Sequence, residues 1–352
     1  MRYKLSAPAT LHTTIQLPAS KSISNRALIL HALAQGHIAP SNLSDCDDTR
    51  VMIKALDGNP GHIDILAAGT AMRFLTAYLS VTPGTRIITG TERMQQRPIR
   101  ILVDALRELG AQIEYAGKEG FPPLRITGTE LTGEEISLAG NVSSQYISAL
   151  LMIGPILKNG LRLNLTGEII SRPYINLTLQ LMKEFGADAA WSSESSITVR
   201  PGKYRDIPFT VESDWSGASY WYQMVALIQD NEKKESTKTK IKLPGLLPRS
   251  YQGDSRGAEI FAKLGVHTTY TDQGVILTKM GTPVTCLKED LVDIPDLAQT
   301  FVVTCCLMNI PFRFTGLQSL KIKETDRIQA LITELNKLGY VVKSEQDINL
   351  ER

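Results

Sequence analysis

The sequence predicts an α/β (α+β) protein of two domains, each assembled from repeated strand and helix segments. Two observations lead to this prediction. The 352 residues exceed what a single hydrophobic core usually fills. Strand-like and helix-like patterns also alternate, and the same order of patterns returns about every 75 residues. A period of this length is typical of a repeated supersecondary block, so we expect an array of such repeats.

Each repeat is anchored by a short alternating strand that opens with a basic residue and closes at glycine. These strands are RIITG, RLNLTG, KIKLPG and RFTG, which end at Gly90, Gly167, Gly245 and Gly316. A helix with apolar residues at helical spacing follows each strand and ends at a glycine suited to the C-terminal cap. These capping glycines are Gly110, Gly186, Gly265 and Gly339. Another strand then follows: AQIEY, ADAAW, VHTTY or YVVKS.

A leading helix, apolar and entered by small residues, precedes the glycine-ended strands. Five such helices start at Ser20, Ala68, Ser143, Ser216 and Pro295. The last four starts are 73 to 79 residues apart. The repeat therefore takes the order βαβαββ, with five leading helices where a symmetric pair of three-repeat domains would have six.

Composition excludes several classes of protein. Hydrophobic residues make up 43% and charged residues 21% of the chain, as in globular proteins. The net charge of +2 gives no basic excess for binding nucleic acid. The most apolar run, residues 301–308, is too short to span a membrane. The four cysteines form no CxxC pair, which favours a reducing compartment, so we expect a cytoplasmic protein.

Cofactor motifs are missing from the sequence as well. The five histidines have no HExxH or other metal-ligand spacing, and the chain contains neither a GxxxxGK[ST] phosphate loop nor a GxGxxG segment after a strand. We therefore expect no metal and no nucleotide cofactor.

The starts of the leading helices are suited to anions, because each helix N-terminus carries unpaired N–H groups and about half a positive charge. Basic residues lie at or near helix starts: Lys21, Arg26, Arg73, Arg97, Arg172, Lys323 and Arg327. Arg97 and Arg172 precede proline, the residue favoured in the first helical turn, so we expect both to open helices where a bound anion would offset their charge. The alternative is that Ser and Thr at these starts are only caps.

Asp296 is the most informative acidic residue, because it lies in an otherwise apolar helix entry, IPDLAQTF. A carboxylate there either caps the helix or takes part in proton transfer.

Seven segments, in order along the chain, resemble the signatures of the EPSP synthase (3-phosphoshikimate 1-carboxyvinyltransferase) family. They are PASKSISNRAL from Pro18, AAGTAMRFL from Ala67, RMQQRPI from Arg93, VSSQYISALLM from Val142, SRPYI from Ser171, IPDLAQT from Ile294 and KETDRI from Lys323. The SKSxSNRA and KETDR segments distinguish this family from the related UDP-N-acetylglucosamine enolpyruvyl transferases.

The resemblance implies the two-domain enolpyruvyl transferase fold, with an N-terminal domain over residues 21–212 and a second domain over residues 1–20 plus 213–352. It implies transfer of the enolpyruvyl group of phosphoenolpyruvate to the 5-hydroxyl of shikimate 3-phosphate, without a cofactor and by a monomer. On this resemblance the family continues with a further C-terminal repeat, and we expect this sequence to lack it. A non-catalytic or weakly active anion-binding relative is therefore the alternative.

The resemblance also assigns site residues. It implies Asp296 as the base for the attacking hydroxyl, and either Lys21 or Glu324 as the proton donor. For shikimate 3-phosphate it implies contacts from Lys21, Ser22, Arg26, Ser143, Ser144, Gln145, Ser171, Tyr174, Asp296 and Lys323. For phosphoenolpyruvate it implies contacts from Lys21, Gly69, Arg97, Gln145 and Arg327.

Overall fold

The computed structural model describes Lys4 and residues 11–58, 60–228, 239–323, 325–345 and 349–352, without the side chain of Ile322. The chain divides into two compact units. One, here called the continuous unit, covers residues 19–211. The other, the split unit, is made of residues 1–18 and 212–352. The chain therefore passes between the units twice.

The chain starts in the split unit with β1 (His12–Thr14). The continuous unit then contains seven described α-helices: α1 (Lys21–Leu33), α2 (Asp47–Leu56), α3 (Gly69–Ser80), α4 (Glu92–Gln95), α5 (Arg100–Glu108), α6 (Ser144–Ile153) and α7 (Arg172–Glu184). Its described strands are β2 (His62–Asp64), β3 (Gly84–Thr89), β4 (Gln112–Tyr115), β5 (Leu124–Gly128), β6 (Glu134–Ala139), β7 (Leu161–Thr166), β8 (Ala189–Trp191) and β9 (Ser196–Val199).

The chain returns to the split unit at residue 212. The described α-helices there are α8 (Trp215–Leu227), α9 (Gly257–Lys263), α10 (Ala298–Leu307) and α11 (Arg327–Lys337). The described strands are β10 (Lys240–Pro244), β11 (Val266–Thr271), β12 (Gly274–Lys279), β13 (Leu287–Asp290), β14 (Phe312–Thr315), β15 (Lys343–Glu345) and β16 (Asn349–Glu351).

Four sheets of four strands share one topology, which confirms the repeat. Their orders are β2-β3-β5-β4, β6-β7-β9-β8, β1-β10-β12-β11 and β13-β14-β16-β15. In each sheet the first two strands are parallel and the other two pairs are antiparallel. In three sheets a leading helix connects the parallel strands, as a crossover connection requires, whereas the continuous unit and α8 lie between β1 and β10. In the described part of the first repeat of the continuous unit, an isolated bridge between Ser41 and Thr210 is found where the other repeats have a sheet.

Local sequence accounts for the ends of the elements. The glycine that follows each of α5, α7, α9 and α11 has a φ between +84° and +102°, so it adopts the left-handed conformation that ends helices. The five leading helices are also present, as α1, α3, α6, α8 and α10. The last of them differs from expectation, because a 3-10 turn over Pro295–Leu297 precedes the α-helix that begins at Ala298.

The leading helices form the interior of each unit. In the continuous unit α1, α3 and α6 pack against one another, and eleven of the twelve residues of α3 are buried. In the split unit α8 packs against α10, and rings from Trp215 to Phe314 form a chain of aromatic contacts with centroids 4.8 to 6.4 Å apart. The outer faces of these two helices expose Tyr220, Met224 and Leu307.

The described residues contain no helix long and apolar enough to cross a membrane. All four cysteines are free thiols. Within the described ranges, no three side chains of His, Cys, Asp or Glu come together as a metal site would require.

Candidate active site

Arg26 ties together three helices of the continuous unit. It lies on α1, where its Nη1 donates to the carbonyl of Ser22 at 2.9 Å. Its Nε donates to Thr178 on α7 at 2.7 Å, and its Nη2 donates to Ser148 on α6 at 3.0 Å and to the carbonyl of Tyr174 at 3.4 Å. One buried guanidinium therefore links α1, α6 and α7.

Burial lowers the pKa of this arginine. Arg26 is 2% exposed, and desolvation lowers its pKa to about 10, so it remains charged near neutral pH. The ring of Phe74 lies 5.2 Å from the guanidinium carbon and adds a cation–π contact. Since four hydrogen bonds engage the protein, only an Nη1 hydrogen is left for the contact with shikimate 3-phosphate that the resemblance implies.

A second group of cations surrounds Gly69, the first residue of α3. A Cβ built on this glycine would stand 2.6 Å from Nη1 of Arg73 and 2.6 Å from Nη1 of Arg97. The two nitrogens are thus within about 5 Å of each other, where like charges repel by about 3 kcal/mol at the surface of a protein. Because the N-terminus of α3 adds further positive potential, an anion bound here would offset a substantial repulsion.

Arg73 is fixed within this group. Its Nη1 donates to the carbonyl of Gly69 at 2.7 Å, and the residue is 7% exposed. Its Nε is buried without a hydrogen-bond acceptor among the described residues. A buried cationic N–H without an acceptor is costly, and a bound anion would reduce this cost.

Arg97 is placed differently from the sequence-based expectation. It was expected to open a helix, whereas α5 begins at Arg100 and Ile99 is its N-cap. Arg97 lies in the loop between α4 and α5, with its N–H bonded to the carbonyl of Met94 at 3.0 Å. The proline at position 98 therefore stiffens a loop, and the side chain of Arg97 reaches the start of α3 from outside that helix.

The start of α6 joins this cationic group through Gln145. Its Nε2 donates to the hydroxyl of Thr70 on α3 at 3.1 Å. Ser143 is the N-cap of α6, and its hydroxyl accepts from the N–H of Gln145 at a long 3.4 Å. Capping thus explains Ser143 in part, while Ser144 follows it as the first residue of the helix.

Ser171 has an unusual backbone. It precedes α7 in the left-handed conformation, with φ +54° and ψ +36°, and is 7% exposed. Its side chain makes no capping hydrogen bond. Left-handed non-glycine residues cost about 1 to 3 kcal/mol and gather at functional sites, so the conformation supports a binding role. Tyr174 follows one turn later, and its carbonyl accepts from Arg26 and Thr178.

Arg172 does open α7, but an aromatic ring faces its charge. The guanidinium carbon lies 3.9 Å from the centroid of the Trp191 ring, and the indole N–H of Trp191 donates to Asn176 at 2.8 Å. The expectation that Arg172 needs a bound anion is therefore unnecessary. Lys21 and Ser22 begin α1, where Lys21 is exposed and Ser22 is partly exposed.

The split unit contributes a carboxylate held by two cations. One oxygen of Asp296, Oδ1, lies 3.2 Å from Nζ of Lys323 and 3.0 Å from Nη1 of Arg327. The three side chains are 26% to 28% exposed, so solvent and small ligands reach them. Asp296 is not the N-cap of its turn, because Ile294 occupies that position. Capping therefore does not explain Asp296. Glu324, the alternative to Lys21 as proton donor, lies outside the described residues.

The sequence alone did not assign Thr70, Tyr146, Ser148 or Thr178, which hold the site residues in place. A signal for Tyr146 exists, since it lies one helical turn from Ser143 in the SSQY segment. Arg73 carries a comparable signal, because it is four residues after Gly69 and so on the same face of α3.

The fold belongs to the two-domain enolpyruvyl transferase class. Two solved structures of EPSP synthase from Acinetobacter baumannii match the chain with a TM-score of 0.73. For the first of these, the match covers 96% of this chain and 81% of the other at 20% sequence identity. At this identity the likeness establishes the fold.

The family follows from sequence comparison. The model of EPSP synthase (3-phosphoshikimate 1-carboxyvinyltransferase) matches residues 5–58 and 59–351. A 3-phosphoshikimate 1-carboxyvinyltransferase of Bacteroides fragilis is 71% identical over 347 residues, which cover 99% of this chain and 83% of the relative. One from Shewanella pealeana is 37% identical and covers 95% and 82%. The chain belongs to the EPSP synthase family and is an enzyme, which confirms the expectation drawn from its motifs.

Proposed function

We propose that the protein transfers the enolpyruvyl group of phosphoenolpyruvate to the 5-hydroxyl of shikimate 3-phosphate and releases phosphate. Membership of the EPSP synthase family across almost the whole chain supports this reaction. The observation that carries it is the Asp296 carboxylate beside Lys323 and Arg327, because the reaction needs a base close to cations that bind acidic substrates.

The reaction is an addition followed by an elimination. The 5-hydroxyl oxygen forms a bond to C2 of phosphoenolpyruvate while a proton is added to C3. The hydroxyl proton passes to a base. In the second step C3 loses a proton, the double bond returns, and the bond from C2 to the phosphate oxygen breaks. Phosphate leaves with that oxygen.

Asp296 is the proposed base for the hydroxyl proton. Its Oδ1 lies beside the cationic groups of Lys323 and Arg327. Anionic groups of the substrates compete for these two cations, which frees the carboxylate oxygen to accept the hydroxyl proton. The proton donor to C3 is Lys21 or Glu324.

The remaining assignments follow the chemistry of the ligands. For phosphoenolpyruvate we propose Lys21, Gly69, Arg97, Gln145 and Arg327, which combine cations with a glycine that allows close backbone approach. For shikimate 3-phosphate we propose Lys21, Ser22, Arg26, Ser143, Ser144, Gln145, Ser171, Tyr174, Asp296 and Lys323, which combine cations with hydroxyl and amide groups. We further propose that the enzyme is a monomer of the cytoplasm; its four free thiols fit a reducing compartment.

Asp296→Asn tests the assignment of the base, because it keeps the volume and removes the charge. We expect turnover to fall at least about 100-fold with little change in thermal stability. Glu334→Gln is the matched control, since it removes a carboxylate that lies 2.7 Å from Lys337 on the surface of the same unit. A variant with normal turnover, or one that loses activity only in proportion to folded protein, would refute the role of Asp296.

A further inference from the structure

We propose that Tyr146 is a positioning residue that holds Arg73 and Arg97 in place for phosphoenolpyruvate. The proposal rests on the function proposed above and adds a residue that touches no substrate. Tyr146 is on α6 directly after Gln145 and is 6% exposed. Its hydroxyl binds the loop that carries Arg97, and its ring contacts the guanidinium group of Arg73.

The hydroxyl of Tyr146 fixes the loop that carries Arg97. It donates to the carbonyl of Pro98, the residue after Arg97, at 2.7 Å. This loop has two further anchors: the N–H of Arg97 donates to Met94 at 3.0 Å, and the N–H of Ile99 donates to Gly120 at 2.9 Å. Three hydrogen bonds therefore fix the backbone on both sides of Arg97. Two of them join backbone groups, and the third comes from the side chain of Tyr146.

The ring of Tyr146 stabilises the neighbouring Arg73. The guanidinium carbon of Arg73 lies 5.5 Å from the ring centroid, within the range of a cation–π contact. Arg73 otherwise faces the charge of Arg97 across the Cβ position of Gly69. The negative face of the ring offsets part of this repulsion.

A core role alone does not explain both contacts. Apolar packing needs only a ring of this size, which phenylalanine provides. The hydroxyl adds a bond to the carbonyl of Pro98, the residue next to Arg97, and so holds the backbone that carries this arginine. A loop with a misplaced arginine loses charge-assisted contacts to its anionic ligand, whereas contacts made from α1 and α7 are unaffected.

Tyr146→Phe tests this proposal, and Tyr204→Phe is its control. Tyr204 is also 6% exposed, and its hydroxyl donates to the carbonyl of Met152 at 2.8 Å, so both variants lose one buried bond of the same kind. We expect Tyr146→Phe to raise the KM for phosphoenolpyruvate about fivefold, with the KM for shikimate 3-phosphate within about twofold of wild type. Tyr204→Phe should leave both constants unchanged while lowering the Tm by a similar amount.

A second variant examines the ring. Tyr146→Leu loses the cation–π contact as well, so its KM for phosphoenolpyruvate should exceed that of Tyr146→Phe. Equal values for the two variants would overturn the role of the ring, and equal kinetics for Tyr146→Phe and Tyr204→Phe would overturn the role of the hydroxyl.

Calorimetry with phosphoenolpyruvate separates this inference from the proposed function. Absence of phosphate release by folded wild-type protein contradicts the function. Weaker binding of phosphoenolpyruvate to Tyr146→Phe than to Tyr204→Phe supports the positioning role in either case, and equal binding overturns it.

Discussion

At the scale of single residues, Gly69 has the clearest consequence for substrate affinity. Its φ lies outside the left-handed region and it begins a helix, so alanine is compatible with its backbone and favours the helix by up to about 1 kcal/mol. The added methyl group would stand 2.6 Å from nitrogens of Arg73 and Arg97. Gly69→Ala must therefore displace the guanidinium groups, and we expect the KM for phosphoenolpyruvate to rise about tenfold or more.

Gly61→Ala is the control for this substitution. A Cβ at Gly61 would meet no atom within 4 Å, and its φ is also outside the left-handed region. Steady-state kinetics on both variants, with the Tm of each, checks the prediction. An unchanged KM for Gly69→Ala would show that the arginines are not needed where the structure places them.

Glu212 makes the free energy of unfolding depend on pH. It is 8% exposed, and burial raises its pKa above the usual 4.5, although Ser250 and Gln252 donate hydrogen bonds to it. A raised pKa means that the folded state prefers the protonated acid. The contribution of Glu212 to the free energy of unfolding is therefore largest below pH 4.5 and is lost as pH rises through the folded-state pKa.

Chemical denaturation across this pH range tests the sign. The unfolding free energy of wild type minus that of Glu212→Gln should fall as pH rises. Asp206 gives the opposite case, because the N–H of His37 lowers its pKa below the usual 3.8. Wild type minus Asp206→Asn should therefore rise with pH as this carboxyl ionises. Differences that change in the same direction with pH for both residues would contradict the assignment.

Single residues also show what the sequence reveals about the site. The charged motif residues were recognisable one by one, and Asp296, Lys323 and Arg327 do lie together. The hydrogen bonds of Arg26 were not recognisable, because its partners Ser148 and Thr178 are 122 and 152 positions away in the sequence. The contact between Arg172 and the ring of Trp191 was not recognisable from the sequence either. Such contacts depend on tertiary packing, which periodicity does not encode.

At the scale of elements, the glycines after α7 and α11 separate backbone strain from steric conflict. Gly339 has φ +84° and no atom within 4 Å of its Cβ position, so Gly339→Ala should cost only the left-handed conformation, about 1 kcal/mol. Gly186 has φ +90°, and its Cβ would stand 2.5 Å from Nε of Arg205. Gly186→Ala should therefore destabilise the protein more.

A double variant identifies the source of the difference. Arg205→Ala removes the side chain that a methyl group at position 186 would meet. In this background the cost of Gly186→Ala, measured by urea denaturation, should fall to that of Gly339→Ala. A cost that stays larger would mean that backbone strain, and not Arg205, accounts for the difference between the two glycines.

The elements differ in how well the sequence predicts them. The glycine-ended strands and the helices that end in a glycine cap were predicted, because their patterns combine periodicity with a special backbone position. The first strand of each sheet was expected from the βαβαββ order, but its position in the sequence was not predicted. β2 and β13 are only three and four residues long, and each exposes polar side chains, so they lack a hydrophobic pattern. Their positions follow only from parallel pairing with β3 and β14.

At the scale of the whole molecule, the division into units predicts that the continuous unit folds on its own. Residues 19–211 form one uninterrupted segment with two complete sheets and three packed leading helices. A segment with its own core folds independently in most proteins. We expect the isolated fragment to show a cooperative thermal transition by circular dichroism and calorimetry. A gradual loss of signal without a transition would show that this unit needs the rest of the chain.

The repeated sheet order also explains why the fold class could be predicted from one sequence. Four sheets with one topology impose the same turns, caps and spacing four times, so a weak signal in one repeat is supported by the others. The site does not share this advantage. Each of its residues occurs in one repeat only, and their roles depend on differences between the repeats.

The central claim is that the enzyme breaks the bond between C2 and the bridging oxygen of phosphoenolpyruvate in a reaction that requires shikimate 3-phosphate. Phosphoenolpyruvate labelled with ¹⁸O at the bridging oxygen tests it directly. With both substrates present, mass spectrometry should find the label in the released phosphate, together with an equal amount of enolpyruvyl product, and no phosphate should form when shikimate 3-phosphate is omitted. Unlabelled phosphate would indicate hydrolysis at phosphorus, and release without shikimate 3-phosphate would show that the second substrate is not required; either result contradicts the account.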